Sequence, residues 1–238
     1  MKKLNIITMI FTIWISIVFT SCTIFPIIGN GILVPTERSV SQFDKINSSG
    51  SAEVRFHVSQ EFKVVLTTDS NLSEYVEIST RNSTLHIGTK SGYSLSFTRW
   101  IVDVYSPTLT EISISGSGGF SSAEKIIAQT FTSNVSGSGM IEGIIESGHF
   151  SATISGSGRI TVSGRGNNLS IVISGSGRFN GADFLKNNAT VRVSGSGNAN
   201  IWVTDNLNAN ISGSGTINYR GNPQVNSSVS GSGRINQL

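Results

Sequence analysis

The chain predicts an all-β protein, a parallel β-solenoid with about 18–21 residues per coil, on three observations. Ser-Gly-Ser-Gly recurs seven times, beginning at Ser115, Ser136, Ser155, Ser174, Ser194, Ser212 and Ser230, at intervals of 21, 19, 19, 20, 18 and 18 residues. Each tetrad follows a β-branched aliphatic residue, as in Ile114, Val135 and Ile154, and two positions after it stands an apolar one, as in Phe120, Ile141 and Ile160. Of the 26 glycines, 21 lie between Gly116 and Gly233. Such a period is too short for a helix pair but fits one coil of stacked strands, with β-branched columns forming a continuous core about 4.8 Å per rung. Gly-x-Gly at a fixed place marks a corner or a close approach to the interior. Serines beside it are expected to hydrogen-bond along the ladder. The expected hand is right, because the strict six-residue pattern of left-handed hexapeptide coils is missing.

The elements before the repeat read in order. Lys2 and Lys3 precede an apolar run from Leu4 to Phe19, then Thr20, Ser21 and the one Cys of the chain, Cys22. A basic start, an apolar stretch and small residues describe a secretory signal. Val18-Phe19-Thr20-Ser21-Cys22 resembles the lipobox of bacterial lipoproteins, which implies removal of residues 1–21 and lipidation of Cys22. Several acyl chains on one residue anchor stably, at about 0.8 kcal/mol per buried CH₂. A plain cleaved signal is the alternative. A spanning helix fits less well, since Cys22, Pro26, Gly29, Asn30 and Gly31 interrupt the apolar stretch. Residues 22–38 are then expected as lipidated terminus and linker.

Residues 39–238 are expected to form a single solenoid, irregular over 39–110 and regular over 111–238. In the irregular part Ser49-Gly50-Ser51 with Val54 reads as an eroded first coil. Val64–Leu66, Tyr75–Ile78, Leu85–Ile87 and Trp100–Val104 read as strands. Asp69-Ser70-Asn71, Arg81-Asn82-Ser83 and Ser91-Gly92 read as turns. Terminal repeats are often atypical because they cap the core.

Phe43-Asp44-Lys45-Ile46, Asn82-Ser83-Thr84-Leu85-His86-Ile87 and Pro107-Thr108-Leu109 leading into Ile112–Gly118 resemble the DUF2807 family, described as putative auto-transporter adhesin, head GIN domain. Its Gly-Ile-Asn signature is matched by Gly233-Arg234-Ile235-Asn236 and, as Gly-Thr-Ile-Asn, by Gly215–Asn218. Coils such as Gly118-Gly119-Phe120 and Gly197-Asn198-Ala199 depart from it. The resemblance runs from about Phe43 to the C-terminus. It implies a β-helical envelope protein of Bacteroidetes-like bacteria, often with a lipoprotein signal, and brings no catalytic residues.

Chemistry is sparse. One Cys excludes an internal disulfide and a Cys-based zinc cluster. From Ser151 onward the only acids are Asp183 and Asp205, which read as turn residues rather than a catalytic pair. His57, His86 and His149 lack short metal spacing, and the Gly-x-Gly units lack the Lys and helix of a phosphate loop. The expectation is no enzyme, no cofactor and no metal. Without residues 1–21 the chain has 15 basic and 14 acidic residues, which does not describe a nucleic-acid binder.

Charge is nevertheless divided. Residues 22–150 hold 8 basic and 12 acidic side chains, residues 151–238 hold 7 and 2. Arg159, Arg178 and Arg234 share the slot after their tetrads, and are candidates for contact with anionic glycan or lipid headgroups. The last tetrad ends five residues before Leu238, which predicts end-to-end self-association or a partner strand at Ser230–Leu238. The function expected is a non-catalytic, lipid-anchored lipoprotein of the bacterial outer membrane, facing periplasm or surface. Its solenoid would bind a glycan or an envelope protein in an adhesin-like way. The alternatives are a purely structural envelope scaffold and, less well supported, a carbohydrate-active enzyme.

Overall fold

The computed structural model describes residues 25–238; the expected signal segment and Cys22 lie outside the described residues. The chain forms β1 (Ile27–Ile28), β2 (Leu33–Arg38), β3 (Lys45–Gly50), β4 (Glu53–Val58), β5 (Lys63–Asp69), β6 (Val76–Arg81), β7 (Thr84–Thr89), β8 (Leu95–Ser96) and β9 (Trp100–Ser106). The repeats follow as β10 (Glu111–Gly116), β11 (Gly119–Gly137), β12 (Met140–Gly156), β13 (Arg159–Gly175), β14 (Arg178–Gly195), β15 (Asn198–Gly213), β16 (Thr216–Arg220), β17 (Gln224–Ser230) and β18 (Arg234–Gln237). Stacked parallel strands make a β-solenoid of about seven turns.

The tetrads set the register. Gly116 pairs with Gly137, Gly137 with Gly156, Gly156 with Gly175, Gly175 with Gly195 and Gly195 with Gly213. The first glycine of each tetrad has a positive φ, +111° at Gly175, and a Cβ there would lie 2.7 Å from the Gly156 carbonyl oxygen. Both facts demand glycine. The second glycine passes over the β-branched residue of the preceding tetrad, Gly139 over the Ile114 Cγ2 and Gly215 over the Val193 Cγ1. The corner therefore lets the backbone close over the aliphatic column beneath it. The serines behave differently from expectation. Among the described residues the tetrad serines exchange no side-chain hydrogen bonds; their backbone N–H groups donate instead, as from Ser157 to the Gly137 carbonyl at 2.9 Å. The outward hydroxyls are left to solvent.

Alternation places the core. Ile154, Ile171, Ile173, Val191, Phe179 and Phe184 are fully buried. Phe131 and Phe150 stack one rung apart with ring centroids at 5.9 Å, and Phe184 meets Phe150 edge-on at 5.2 Å. Each such side chain contributes about 1.5–3 kcal/mol on burial. The Gly-Ile-Asn signature also acquires a reason. Ile217 points inward and is fully buried, while Asn218 donates to the Asn200 Oδ1 at 2.9 Å and accepts from Asn236 at 3.0 Å. A second amide ladder links Asn206, Asn188 and Asn168.

The first third contains one coil, as expected, with Gly50 at its corner and β3 pairing parallel to β10. Around it, however, the chain departs from a coil path. The segment between β4 and β10 is inserted at the N-terminal end of the stack, where β7 and β9 pair parallel to β3 and β4. Antiparallel strands then close the end, β6 on β7, β5 on β9, and β2 on β5. Asn82 and Ser83, at φ 50° and 57°, form the hairpin turn between β6 and β7. Leu33–Arg38, expected as linker, is thus a strand. It is held partly by the buried Asp69, whose Oδ1 accepts the Gly31 N–H at 2.8 Å and whose Oδ2 accepts that of Thr98 at 2.9 Å. Burial alone would raise this carboxyl's pKa; the backbone donors outweigh it and lower it.

Candidate functional site

Outside the core, side chains form columns along the axis. The slot after the corner reads Met140, Arg159, Arg178, Asn198, Thr216 and Arg234, each pairing with the next. Arg159 and Arg178 are adjacent rungs, and both are exposed, as is Arg234 three rungs beyond Arg178. Among the described residues none of the three forms an ion pair. Like charges on facing positions destabilise a sheet by tenths of a kcal/mol, so the pair is not there for stability.

Further along the coils, past that slot, is a groove. One wall is the column Ile127, Glu146, Arg165 and Leu185, in register from rung to rung, which Trp202 continues one rung beyond the groove. The other wall carries Gln129, Asn167 and Asn187, and small residues, Ala128, Ser147 and Gly166, make the floor. Its volume is about 430 Å³. A second depression of about 500 Å³ shares Ile127, Ala128 and Gln129 with it and leads on toward Lys45 and Glu111. The two form one trough along several rungs. Glu146 accepts from Lys125 and Arg165, both at 3.1 Å, and those bonds hold its pKa low. At the far end Asn187 donates to Asp205 at 3.1 Å and Thr204 Oγ1 to the same carboxylate at 2.7 Å, again lowering its pKa. Trp202 and Leu185 remain 39% and 37% exposed, and Ile127 68%, so the wall offers apolar surface to solvent.

Beneath the floor lies a buried amine. Lys186 points inward with no exposed surface, its Nζ 3.3 Å from the centroid of the Phe184 ring and without a hydrogen-bond partner. It fills the space left by Gly166, which has no side chain on the preceding rung. Desolvation pushes its pKa down to about 7.

Sequence reasoning found the arginine slot but not the trough. The outward Trp202 between buried Ile201 and Val203 was a readable signal, since a large aromatic on the solvent side of an alternating strand has no core role. The acids do not pair: Asp183 stacks on Ser163, and Asp205 lies beside Asn187. The histidines stay apart, with His57 against Asp103 at 3.3 Å, His86 stacked on Asn47 and His149 on Asn168. Among the described residues no three His, Cys, Asp or Glu side chains gather as metal ligands, and no helix is long and apolar enough to cross a membrane.

Residues 42–223 match the family described as "Putative auto-transporter adhesin, head GIN domain". The chain belongs to the DUF2807 family. Solved structures agree with the membership. A protein described as a putative lipid binding protein from Parabacteroides distasonis is 28% identical with a TM-score of 0.78, the match covering 90% of this chain and 100% of that one. A putative adhesin from the same species is 26% identical, with a TM-score of 0.75 and the same coverage. A putative adhesin from Bacteroides fragilis has a TM-score of 0.82 over 89% of this chain and 100% of its own, at 19% identity, and shares the fold. No curated protein matches the chain. The family is described as one of putative adhesins, and the chain shares the fold of these solved structures.

Proposed function

We propose that this DUF2807 protein is a non-catalytic, lipid-anchored envelope protein that presents its solenoid as an adhesin-like binding surface. The observation that carries the reading is the outer surface itself. Parallel coils in nearly unbroken register repeat the same outward columns along one rigid body, a surface suited to repetitive partners. The family description and the relatives named putative adhesins support it. Lipidation at Cys22 supplies the tether, and Arg159, Arg178 and Arg234 supply a cationic stripe for anionic glycan or lipid headgroups.

A second surface is the C-terminal end. Val225 and Val229 are 38% and 44% exposed there, although Leu207 and Ile211, one rung inward in the same columns, are buried. A second copy of the chain stacking on this rung would cover them.

Protease shaving of intact against lysed cells, with Cys22→Ala as the anchoring control, tests the assignment. Loss from intact cells and release of the Cys22→Ala protein from membranes are expected for a surface lipoprotein. Digestion only after lysis would replace the adhesin reading by a periplasmic scaffold, and membrane retention of Cys22→Ala would overturn the lipid anchor.

A further inference from the structure

We propose that the trough between the Ile127–Trp202 column and the Gln129–Asn187 wall binds an extended, uncharged polysaccharide chain lying along the solenoid axis. The inference rests on the reading of the protein as a binding module and deepens it by naming a site and a ligand class.

Shape is the first argument. Two depressions joined through Ile127, Ala128 and Gln129 make a trough that crosses successive rungs, too long and too open for a compact metabolite. Rungs repeat about every 4.8 Å. One pyranose of an extended β-linked chain advances by roughly the same length, so successive sugars fall on successive rungs.

Chemistry is the second. A sugar ring has apolar C–H faces and a rim of hydroxyls, and it needs both kinds of partner. Leu185 lines the trough and the half-exposed Trp202 follows it one rung on in the same column, so the two put apolar surface at that end. The opposite wall provides carboxamides on Gln129, Asn167 and Asn187, which donate and accept from one group as hydroxyls require. The Gln129 side chain lies over Gly148, where no side chain intervenes, so its amide borders the trough. Asn187 is already oriented by Asp205.

Charge is the third. The ionised side chains along the trough are largely satisfied among themselves, Glu146 by both Lys125 and Arg165. In the second depression Lys45 stands in register with the opposite charge of Glu111, unlike the like-charged Arg159 and Arg178 on the other column. The trough therefore selects by stacking and hydrogen bonding.

Native affinity electrophoresis of the full chain in gels containing hydroxyethyl cellulose or soluble mannan, with heparin as the polyanion, tests this. Retardation by a neutral polysaccharide, undiminished at high salt, is expected. Trp202→Ala should weaken it about tenfold and Asn187→Ala about threefold, each with wild-type circular dichroism, while Arg159→Ser/Arg178→Ser should not change it. No retardation by either neutral polymer, or retardation that survives both trough substitutions, overturns the proposal. Binding only to heparin, or only to lipid vesicles, overturns it too, but leaves the envelope-adhesin reading standing. That broader reading fails separately, in the shaving experiment.

Discussion

At the first corner of the stack Gly50 is covered by the Trp100 ring, whose Cζ3 lies 3.1 Å from where a Cβ would stand, and Trp100 itself stacks on Phe97 at 4.7 Å. At the last corner Gly231 stacks on Gly213, and Val225 and Val229 lie open in the same coil. The same repeat unit lies between these ends, so the difference comes from what surrounds it. A parallel coil always leaves one more strand edge to pair. The N-terminal end stops this by turning the chain around, with β2, β5 and β6 running against their neighbours and Trp100 filling the space of a missing rung. Capping is thus a change of strand direction and the placement of one large side chain.

Breaking the closed end should have the largest effect. Trp100→Ala removes a buried ring and opens the end of the core, and should cost about 4 kcal/mol in urea denaturation. A loss below about 1 kcal/mol would mean that the antiparallel strands close the end without it.

Next comes the cost within the coils. Lys186 titrates near 10.5 when free and at about 7 in the fold. Between those values the unfolded chain holds the additional proton, so stability should rise with pH from about 7 to 10.5, and below 7 the full cost of burying charge is carried. Lys186→Met, of similar volume, should add about 3 kcal/mol at pH 6 and flatten that limb of the profile. Equal unfolding free energies of the wild type from urea titrations at pH 6 and pH 9.5 would show that the amine finds a partner on protonation.

The smallest effect compares the ends directly. Val193 and Val229 occupy one column two rungs apart, 1% and 44% exposed. Val193→Ala should cost about 2 kcal/mol and Val229→Ala only a few tenths. If the Val229→Ala cost grows with protein concentration, a second copy covers that end, and sedimentation velocity on the wild type would show the matching association.

What the sequence made legible follows from this architecture. The tetrads could be read because the demand for glycine and the β-branched residue before it sit within five residues and recur. The turns at Asn82-Ser83 and Asp69–Asn71 could be read for the same local reason. Strand direction could not, since parallel and antiparallel strands share a period of two. Residues 33–38 therefore read as linker although they pair with β5. Lys186 reads as one more surface lysine, because the space that receives it is created by Gly166, twenty residues earlier and one rung below. The trough depends likewise on residues a coil apart, and only the outward Trp202 announced it.

The corner glycines also make length a variable. Each packs on the equivalent residues of the rung before, its counterpart glycine or the β-branched residue beneath, so a coil can be duplicated or deleted as a block while every corner still fits. The molecule is in this sense graduated like a ruler. Gene-level gain or loss of one 18–21-residue unit would shift the far end by a single rung, about 4.8 Å, without redesigning either neighbour. Reach from the proposed anchor, and the number of rungs in the proposed binding trough, would then change together in whole steps.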